Sequence, residues 1–189
     1  MNDLFRGQLV RLTSEDPESR SKVQANWQRD SEFHRLADAA PAEMYSANKV
    51  KQWIEKATEN GFNPERYFFS IRALEDDKLI GFISLWFDLI HREVWVGIGI
   101  GEREYWGKGC GTDAMKLGVR YAFMELGALR VSLGVHEYNP RAQRAYEKAG
   151  FRLEGRTRGD TLREGRRTDG LWMGILRDEW LAMYATVVE

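Results

Sequence analysis

The chain has 189 residues, 43% of them hydrophobic, a length and composition that suit one domain built around one buried core, residues 1–189. Its 28 lysines and arginines nearly balance 29 aspartates and glutamates, and the net charge of −1 gives no basic excess for a nucleic-acid partner. One cysteine, no secretory signal pattern and no apolar run near the roughly 20 residues that span a bilayer favour a cytoplasmic protein.

The first half of the chain predicts one strand, two helices and then three strands in a meander. Helix start signals at Ser14–Pro17 precede the first helix, and Asn60-Gly61 is the predicted stop of the second. The later runs are rich in β-branched and aromatic residues and are joined by short polar turns. The predicted strands are 7–12, 67–74, 79–87 and 94–100, and the predicted helices are 18–36 and 46–59.

The second half predicts helices that alternate with strands. Asn139 and Pro140 have the residue types of an N-cap and a first helical position, and Gly150 ends that helix. The Arg-rich stretch 158–167 is predicted as a polar connection between the last two strands, and Asp178 as the cap of a final helix. The predicted helices start at 112 and 140, and the predicted strands are 129–136, 151–157 and 168–176.

Glycines mark the most informative segment of the chain. Gly97 and Gly99 share one face of the strand 94–100, where they leave room for close approach of a ligand, or else mark a bulge or a neighbouring aromatic ring. Residues 107–112, GKGCGT, follow and lead into a helix. Converging amides and the positive end of a helix predict a phosphate or pyrophosphate site here, with a plain tight turn as the alternative.

The spacing of this glycine loop excludes two common nucleotide sites. It is neither G-x-G-x-x-G nor G-x-x-x-x-G-K-[ST], so a dinucleotide fold and a nucleotide-dependent switch are not expected. The segment YWGKGCGTDA instead resembles the acetyl-CoA loop of the GNAT superfamily of acyltransferases, whose core pattern is Q/R-x-x-G-x-G/A. Gly109 and Gly111 match its two small positions, and Trp106 stands where that family most often has Gln or Arg.

A second motif lies at the usual distance after the loop. Residues 139–151, NPRAQRAYEKAGF, resemble the GNAT stretch N-x-x-A-x-x-x-Y-x-x-x-G-F. The segment 169–180 resembles the closing strand of the branch that includes the bacterial ribosomal-protein N-terminal acetyltransferases and the spermidine acetyltransferases. The N-terminal half resembles that branch only in outline, so the specific match covers residues 94–151.

This resemblance implies the GNAT fold, an α/β (α+β) architecture in which helices flank a mixed, mostly antiparallel sheet with splayed central strands. It also implies acetyl-CoA as cosubstrate, with the pantetheine arm along the strand 94–100 and the pyrophosphate in the loop, and no metal. The residues expected to bind the cofactor are Ile98, Gly99, Ile100, Trp106, Gly107, Lys108, Gly109, Cys110, Gly111, Thr112 and Asn139.

The resemblance further implies direct transfer of the acetyl group to a primary amine in a ternary complex. Tyr146 is then expected to protonate the departing thiolate, although its place on the apolar face of its helix also suits a core aromatic. A main-chain N–H near Ile98 or Ile100 is expected to stabilise the oxyanion.

The base that takes the amine proton is less well defined by sequence. Many GNAT enzymes have an acidic residue where Trp95 stands here, so the nearby Glu93 is the first candidate. Asp88, His91 and Glu137 are alternatives, each also typical of a solvated surface residue.

The resemblance leaves the acceptor open between a protein N-terminal amine, a polyamine or other small amine, and an aminoglycoside-like drug. A non-catalytic acyl-CoA-binding module is the alternative of a different class. No membrane or nucleic-acid partner is expected, and homodimers are common in the family. The resemblance implies an acceptor pocket made by the two N-terminal helices, their connecting loop and the late strand pair. The two helices and the loop carry aromatic and acidic residues that equally suit a core: Trp27, Asp30, Phe33, His34, Asp38, Met44, Tyr45 and Trp53.

Overall fold

A computed structural model of the chain describes residues 3–58 and 63–185. Strands β1 to β7 are Val10–Thr13, Arg66–Ala73, Leu79–Asp88, Glu93–Ile100, Arg130–His136, Arg152–Arg163 and Arg166–Leu176. Helices α1 to α6 are Pro17–Trp27, Ser31–Ala37, Ala47–Thr58, Cys110–Met124, Pro140–Lys148 and Arg177–Ala185. The predicted helix stop at Asn60-Gly61 lies outside the described residues. No described helix is long and apolar enough to cross a bilayer.

The strands form one seven-stranded sheet in the order β1-β2-β3-β4-β5-β7-β6. Every neighbouring pair is antiparallel except β4 and β5, which are parallel. Those two strands pair only from Glu93↔Arg130 to Trp95↔Ser132 and separate beyond that point. The predicted mixed sheet with splayed central strands is confirmed.

Helix α4 packs its apolar face against the centre of the sheet. Met115, Val119 and Ala122 are fully buried there, and burial of one side chain such as Met115 contributes about 1.5–3 kcal/mol. Gly118 lies on the same face. A Cβ at that position would stand 2.5 Å from Cδ1 of Ile83, so the helix packs too close to β3 for a side chain there. This close packing of α4 fixes the position of its N-terminal end, where the glycine loop leads into the helix.

The predicted helix 18–36 is wrong, because the structure has two helices in its place. Asp30 ends the segment after α1 and caps α2, since its carboxylate accepts the N–H groups of Glu32 and Phe33 at 3.0 and 3.2 Å. An Asp inside an apparently helical run competes for main-chain donors and starts a new helix. Residues 31–37 therefore form a separate short helix beside the centre of the sheet.

The predicted polar connection 158–167 is also wrong, because β6 and β7 form one long hairpin across it. The two strands pair as far as Arg163↔Arg166. Glu164 and Gly165 form the turn with φ values of 50° and 73°, the positive values of a type I′ hairpin. Glu-Gly is a weaker turn signal than Asn-Gly, which is why the charged stretch suggested a loop.

The structure also shifts three element boundaries. Strand β1 begins at Val10, not at Gly7, because residues 7–10 form a turn in which the Gly7 N–H donates to the Val10 carbonyl oxygen at 2.8 Å and Arg6 pairs with Arg11. Helix α4 begins at Cys110, two residues earlier than predicted. Helix α6 begins at Arg177, so Asp178 lies in its first turn and is not its cap.

Candidate active site

A cleft of about 520 Å³ opens where β4 and β5 separate. Past Trp95, the edge of β4 that faces β5 has no strand partner among the described residues, so main-chain groups are available to a ligand there. The side toward α4 and α5, here the loop half, is lined by Val96, Gly97, Ile98, Gly99, Ile100, Tyr105, Trp106, Gly107, Gly109, Gly111, Thr112, Asn139, Arg141, Ala142, Arg144, Ala145, Tyr146 and Lys148. The other side, here the hairpin half, is lined by Phe33, Leu36, Ala37, Gly134, Val135, His136, Asp160, Gly170, Leu171 and Trp172.

The glycine loop has the conformation of an anion-binding turn. Gly107 and Gly109 have φ values of 74° and 91°, and Gly109 is the N-cap of the 15-residue helix α4. The first-turn N–H groups of a helix lack intrahelical partners and carry its positive dipole end. Asp113, the acidic residue of that turn, accepts the N–H groups of Leu9 and Val10, which holds its carboxylate toward the start of β1. The loop is therefore suited to a phosphate group.

Two residues of the predicted cofactor loop do not line the cleft with their side chains. Cys110 is 5% exposed within the core, and burial raises the pKa of its thiol. The Lys108 ammonium lies 5.6 Å from the centre of the Tyr105 ring. Cys110 and Lys108 therefore contact a ligand in the cleft through their main-chain groups. Burial also disfavours the thiolate form of Cys110.

Trp106 lines the loop half in a fixed orientation. Its indole Nε1 donates to the carbonyl oxygen of Ile100 at 2.6 Å, which ties the start of the loop to the end of β4. The Arg141 guanidinium of α5 lies 3.7 Å from the centre of the Trp106 ring. Sequence reasoning assigned no role to Arg141, because only the fold brings α5 beside the loop.

Tyr146 lies in the loop half on α5 and packs against Phe151 at 6.2 Å between ring centres. Desolvation raises the pKa of the Tyr146 hydroxyl to about 12. No residue in ranges 3–58 and 63–185 accepts or donates a hydrogen bond at that hydroxyl. A protonated, unengaged phenol in a cleft is a suitable donor to a ligand atom.

Asn139 caps α5 as predicted and also holds α2. Its Oδ1 accepts the N–H of Ala142 at 3.1 Å, and its Nδ2 donates to the carbonyl oxygen of Leu36 at 3.2 Å. The polar atoms of the side chain are thus engaged with the protein, although Asn139 lines the cleft. This geometry gives Asn139 a positioning role between the two helices.

The structure does not bring Glu93 to the cleft. The Glu93 carboxylate accepts from Ser132 Oγ at 2.5 Å and from Arg130 Nε at 3.1 Å. This ion pair keeps Glu93 at the closed end of the β4–β5 junction, where the strands are still paired. The prediction of Glu93 as the base therefore lacks geometric support.

Two of the alternative bases named from sequence, Asp88 and Glu137, also have structural partners. The Asp88 carboxylate accepts the N–H groups of Ile90 and His91 in the β3–β4 turn. The Glu137 carboxylate accepts from Arg156 at 3.1 Å and from the Asp169 N–H at 2.8 Å. These contacts hold turns and strand ends, and none of the three alternatives lines the cleft.

The hairpin half has two titratable groups, His136 at the end of β5 and Asp160 on β6. Thr161 Oγ1 donates to Asp160 Oδ2 at 3.2 Å and lies 3.5 Å from His136 Nδ1. Burial lowers the pKa of His136, Arg163 lowers it further, and Asp160 and Asp38 oppose the change. Asp160 was missed because its strand was predicted as a loop.

Of the aromatic and acidic residues expected in the acceptor pocket, the structure brings Phe33 to the cleft. Trp27 Nε1 instead donates to Glu102 at 2.7 Å, and Asp30 is paired with Arg103. Tyr45 packs edge-on against Trp53 beside α3, away from the sheet centre. Among residues 3–58 and 63–185, no cluster of three His, Cys, Asp or Glu side chains is arranged to hold a metal ion.

Known proteins resemble this chain over most of its length. A family model described as the acetyltransferase (GNAT) domain matches residues 6–152. Probable N-acetyltransferase YjcK of Bacillus subtilis (strain 168) is 33% identical over 143 residues, which cover 74% of this chain and 75% of that protein. Spermidine N(1)-acetyltransferase of Escherichia coli (strain K12) is 34% identical over 83 residues, 44% of this chain and 45% of that protein. The structure of spermidine N-acetyltransferase from Vibrio cholerae in complex with CoA and spermine matches with a TM-score of 0.79 at 22% identity, covering 91% of this chain and 98% of that one.

Proposed function

The chain belongs to the GNAT acetyltransferase family and is an N-acetyltransferase, and we propose that it transfers the acetyl group of acetyl-CoA to a primary amine by direct attack in a ternary complex. One observation carries this proposal: the glycine loop, the open edge of β4 and the Tyr146 hydroxyl line one cleft. The pyrophosphate lies in the loop 107–112, and the pantetheine arm pairs with residues 96–100 as an added strand does.

The proposed reaction forms a C–N bond and breaks the thioester C–S bond. The neutral amine attacks the thioester carbonyl, and a main-chain N–H near Ile98 or Ile100 stabilises the oxyanion. Tyr146 donates a hydrogen bond to the departing sulfur. A free thiol has a pKa of about 8.5, whereas the pKa of Tyr146 is about 12. Transfer of the phenol proton to the departing thiolate is therefore unfavourable by itself. It occurs only as the positively charged nitrogen formed by the attack gives a proton to Tyr146.

The hairpin half supplies the contacts for the acceptor amine. Asp160 makes no ion pair with another described residue and lies against Gly170, so its carboxylate is available to an ammonium group. Burial and Arg163 lower the pKa of His136 and so favour its neutral form, the form that can accept a proton from that ammonium. We assign the binding of the acceptor to Asp160 and its deprotonation to His136.

The charged residues next to the hairpin half favour an acceptor with one cationic centre, such as a peptide N-terminus. A second cavity adjoins the cleft at Leu36 and is lined by the cations Arg35, Arg163 and Arg166. Its two carboxylates are already paired, Glu32 with Arg103 and Glu164 with Arg35. A polyamine, the acceptor class of the spermidine acetyltransferase relatives, needs several free carboxylates and is the second candidate.

Replacement of Tyr146 by Phe tests the proposed chemistry. We expect kcat for CoA release to fall by about 100-fold or more, because the developing thiolate loses its donor. Acetyl-CoA affinity, measured by calorimetry, should change little. Tyr121→Phe is the matched control, since Tyr121 packs in an aromatic cluster outside the cleft with Phe5 and Phe69. An unchanged kcat in Tyr146→Phe would remove this residue from the mechanism.

A further inference from the structure

Trp106 and Arg141 form a stacked pair on the wall of the loop half. The Arg141 guanidinium lies 3.7 Å from the ring centre, and the ring is fixed by the bond from its Nε1 to the Ile100 carbonyl oxygen. Both side chains line the cleft together with Gly107, Gly109 and Gly111. A guanidinium held flat against an indole keeps its N–H edge free to contact a ligand.

The positive charge of Arg141 has no counterion in the described chain. No carboxylate within residues 3–58 and 63–185 forms an ion pair with it, and its pKa is lowered by burial. Glu32 raises the pKa of Arg141 and Arg103 lowers it, so these two charges oppose each other. A partly desolvated cation without a partner is costly, and an anionic ligand removes that cost.

Helix α5 presents further cations to the same cleft. Arg144 and Lys148 follow Arg141 at spacings of three and seven residues, which place the three side chains on one helix face, and all of them line the loop half. Only Arg141 among them is stacked on the residue that begins the glycine loop. The positive face of α5 therefore meets the glycine loop at Arg141.

We propose that Arg141, held by Trp106, binds the diphosphate of CoA and supplies the side-chain contact that Gln or Arg makes at the position of Trp106 in the family pattern. The proposal rests on the proposed function, because it takes CoA as the ligand of this cleft. Trp106 then acts as a platform for a cation from another element. The Trp106 indole N–H is already used in the bond to Ile100, and the side-chain contact with the diphosphate comes from α5.

A double-mutant cycle with Arg141→Gln and Trp106→Leu tests this assignment, with affinity measured by calorimetry for CoA and for S-acetyl-pantetheine, which lacks the phosphates. Arg141→Gln is expected to weaken CoA binding about tenfold or more, and Trp106→Leu about two- to fivefold. The double variant should bind CoA no more weakly than Arg141→Gln, because both changes remove one contact. S-acetyl-pantetheine binding should be equal in wild type and Arg141→Gln.

Two further variants separate the contact from general effects. Arg103→Gln is the matched control, since the Arg103 guanidinium lies 5.0 Å from the same ring but is paired with Asp30 and Glu32; its CoA affinity should equal that of wild type. Arg141→Lys keeps the charge and should fall between wild type and Arg141→Gln. Equal CoA affinity in wild type and a folded Arg141→Gln would overturn the assignment alone, whereas no CoA binding by wild type would overturn the proposed function.

Discussion

Tyr146 keeps its proton throughout the neutral and mildly alkaline range. Desolvation raises the pKa of its hydroxyl to about 12, from about 10 in an unfolded chain. Between these two values the folded protein retains a proton that the unfolded chain loses, so the stability that depends on this proton is lost as the pH rises through that interval.

We therefore expect the free energy of unfolding of wild type to decrease more between pH 10 and 12 than that of Tyr146→Phe, by up to about 3 kcal/mol. Urea unfolding at a series of pH values measures this difference. The remaining titrating tyrosines, including Tyr105 with its own raised pKa, are common to both proteins and cancel. Parallel pH curves for the two proteins would show that Tyr146 titrates as a solvated phenol does.

The positions of residues were predictable where a motif fixes the main chain and were not where side-chain partners decide. Gly109 and Tyr146 were placed from sequence by their match to the two GNAT motifs, and the structure brings both to the wall of the cleft. Glu93 was proposed as the base because it lies close to Trp95, which occupies the position where many GNAT enzymes have an acidic residue. Its pairing with Arg130 depends on the β4–β5 register, which sequence periodicity does not contain.

At the scale of elements, α2 is held between α5 and the β6–β7 hairpin by side chains that bond its main chain. Asn139 donates to the Leu36 carbonyl oxygen, and Tyr138 donates to that of Arg35 at 2.9 Å. From the hairpin, Arg163 donates to the carbonyl oxygens of Asp38 and Ala40. These bonds position the α2 residues that line the cleft.

Asn139 variants separate its two roles. Asn139→Ala removes the helix cap and the bond to Leu36, and we expect a loss of about 1–3 kcal/mol in the free energy of unfolding. Asn139→Ser keeps a neutral acceptor for the Ala142 N–H and loses the donor to Leu36, so it should lose less. Urea unfolding measures both values. Equal losses would show that the cap contributes nothing.

Most helices and strands were predicted from sequence, and the errors occurred where two elements meet within one polar stretch. The meander β2–β4 and the helices α4 and α5 follow directly from their apolar spacing. The break at Asp30 and the turn at Glu164-Gly165 depend on one cap and one pair of positive φ values. Because the β6–β7 hairpin was not predicted, Asp160 was not recognised as a residue of the hairpin half.

At the scale of the whole molecule, positive charge is placed at both ends of the cleft. Arg141, Arg144 and Lys148 line the loop half, and Arg35, Arg163 and Arg166 line the cavity next to the hairpin half. Asp160 is the carboxylate between them that makes no ion pair within the described chain. The distribution suits an anionic cofactor on one side and an amine with neutral or acidic neighbours on the other.

This distribution predicts the order of acceptors. Peptides with acidic residues after a free N-terminus should give a higher kcat/KM than spermidine in an assay of CoA release. Asp160→Asn should raise KM for the amine by about tenfold and leave acetyl-CoA affinity unchanged, because only the ammonium contact is lost. Glu154→Gln, at the Arg130 ion pair outside the cleft, is the control. A preference for spermidine would identify the acceptor as a polyamine.

We propose that the glycine loop at the start of α4 binds the diphosphate of CoA, and calorimetric titration of the folded protein with acetyl-CoA measures this binding. We expect one cofactor per chain with a dissociation constant between about 1 μM and 1 mM, the usual range for enzyme substrates. Gly109→Val should weaken this binding, because a β-branched residue does not adopt the φ of 91° that the loop requires. A folded wild-type protein that gives no binding heat in that range, with acetyl-CoA or with free CoA, would contradict the claim.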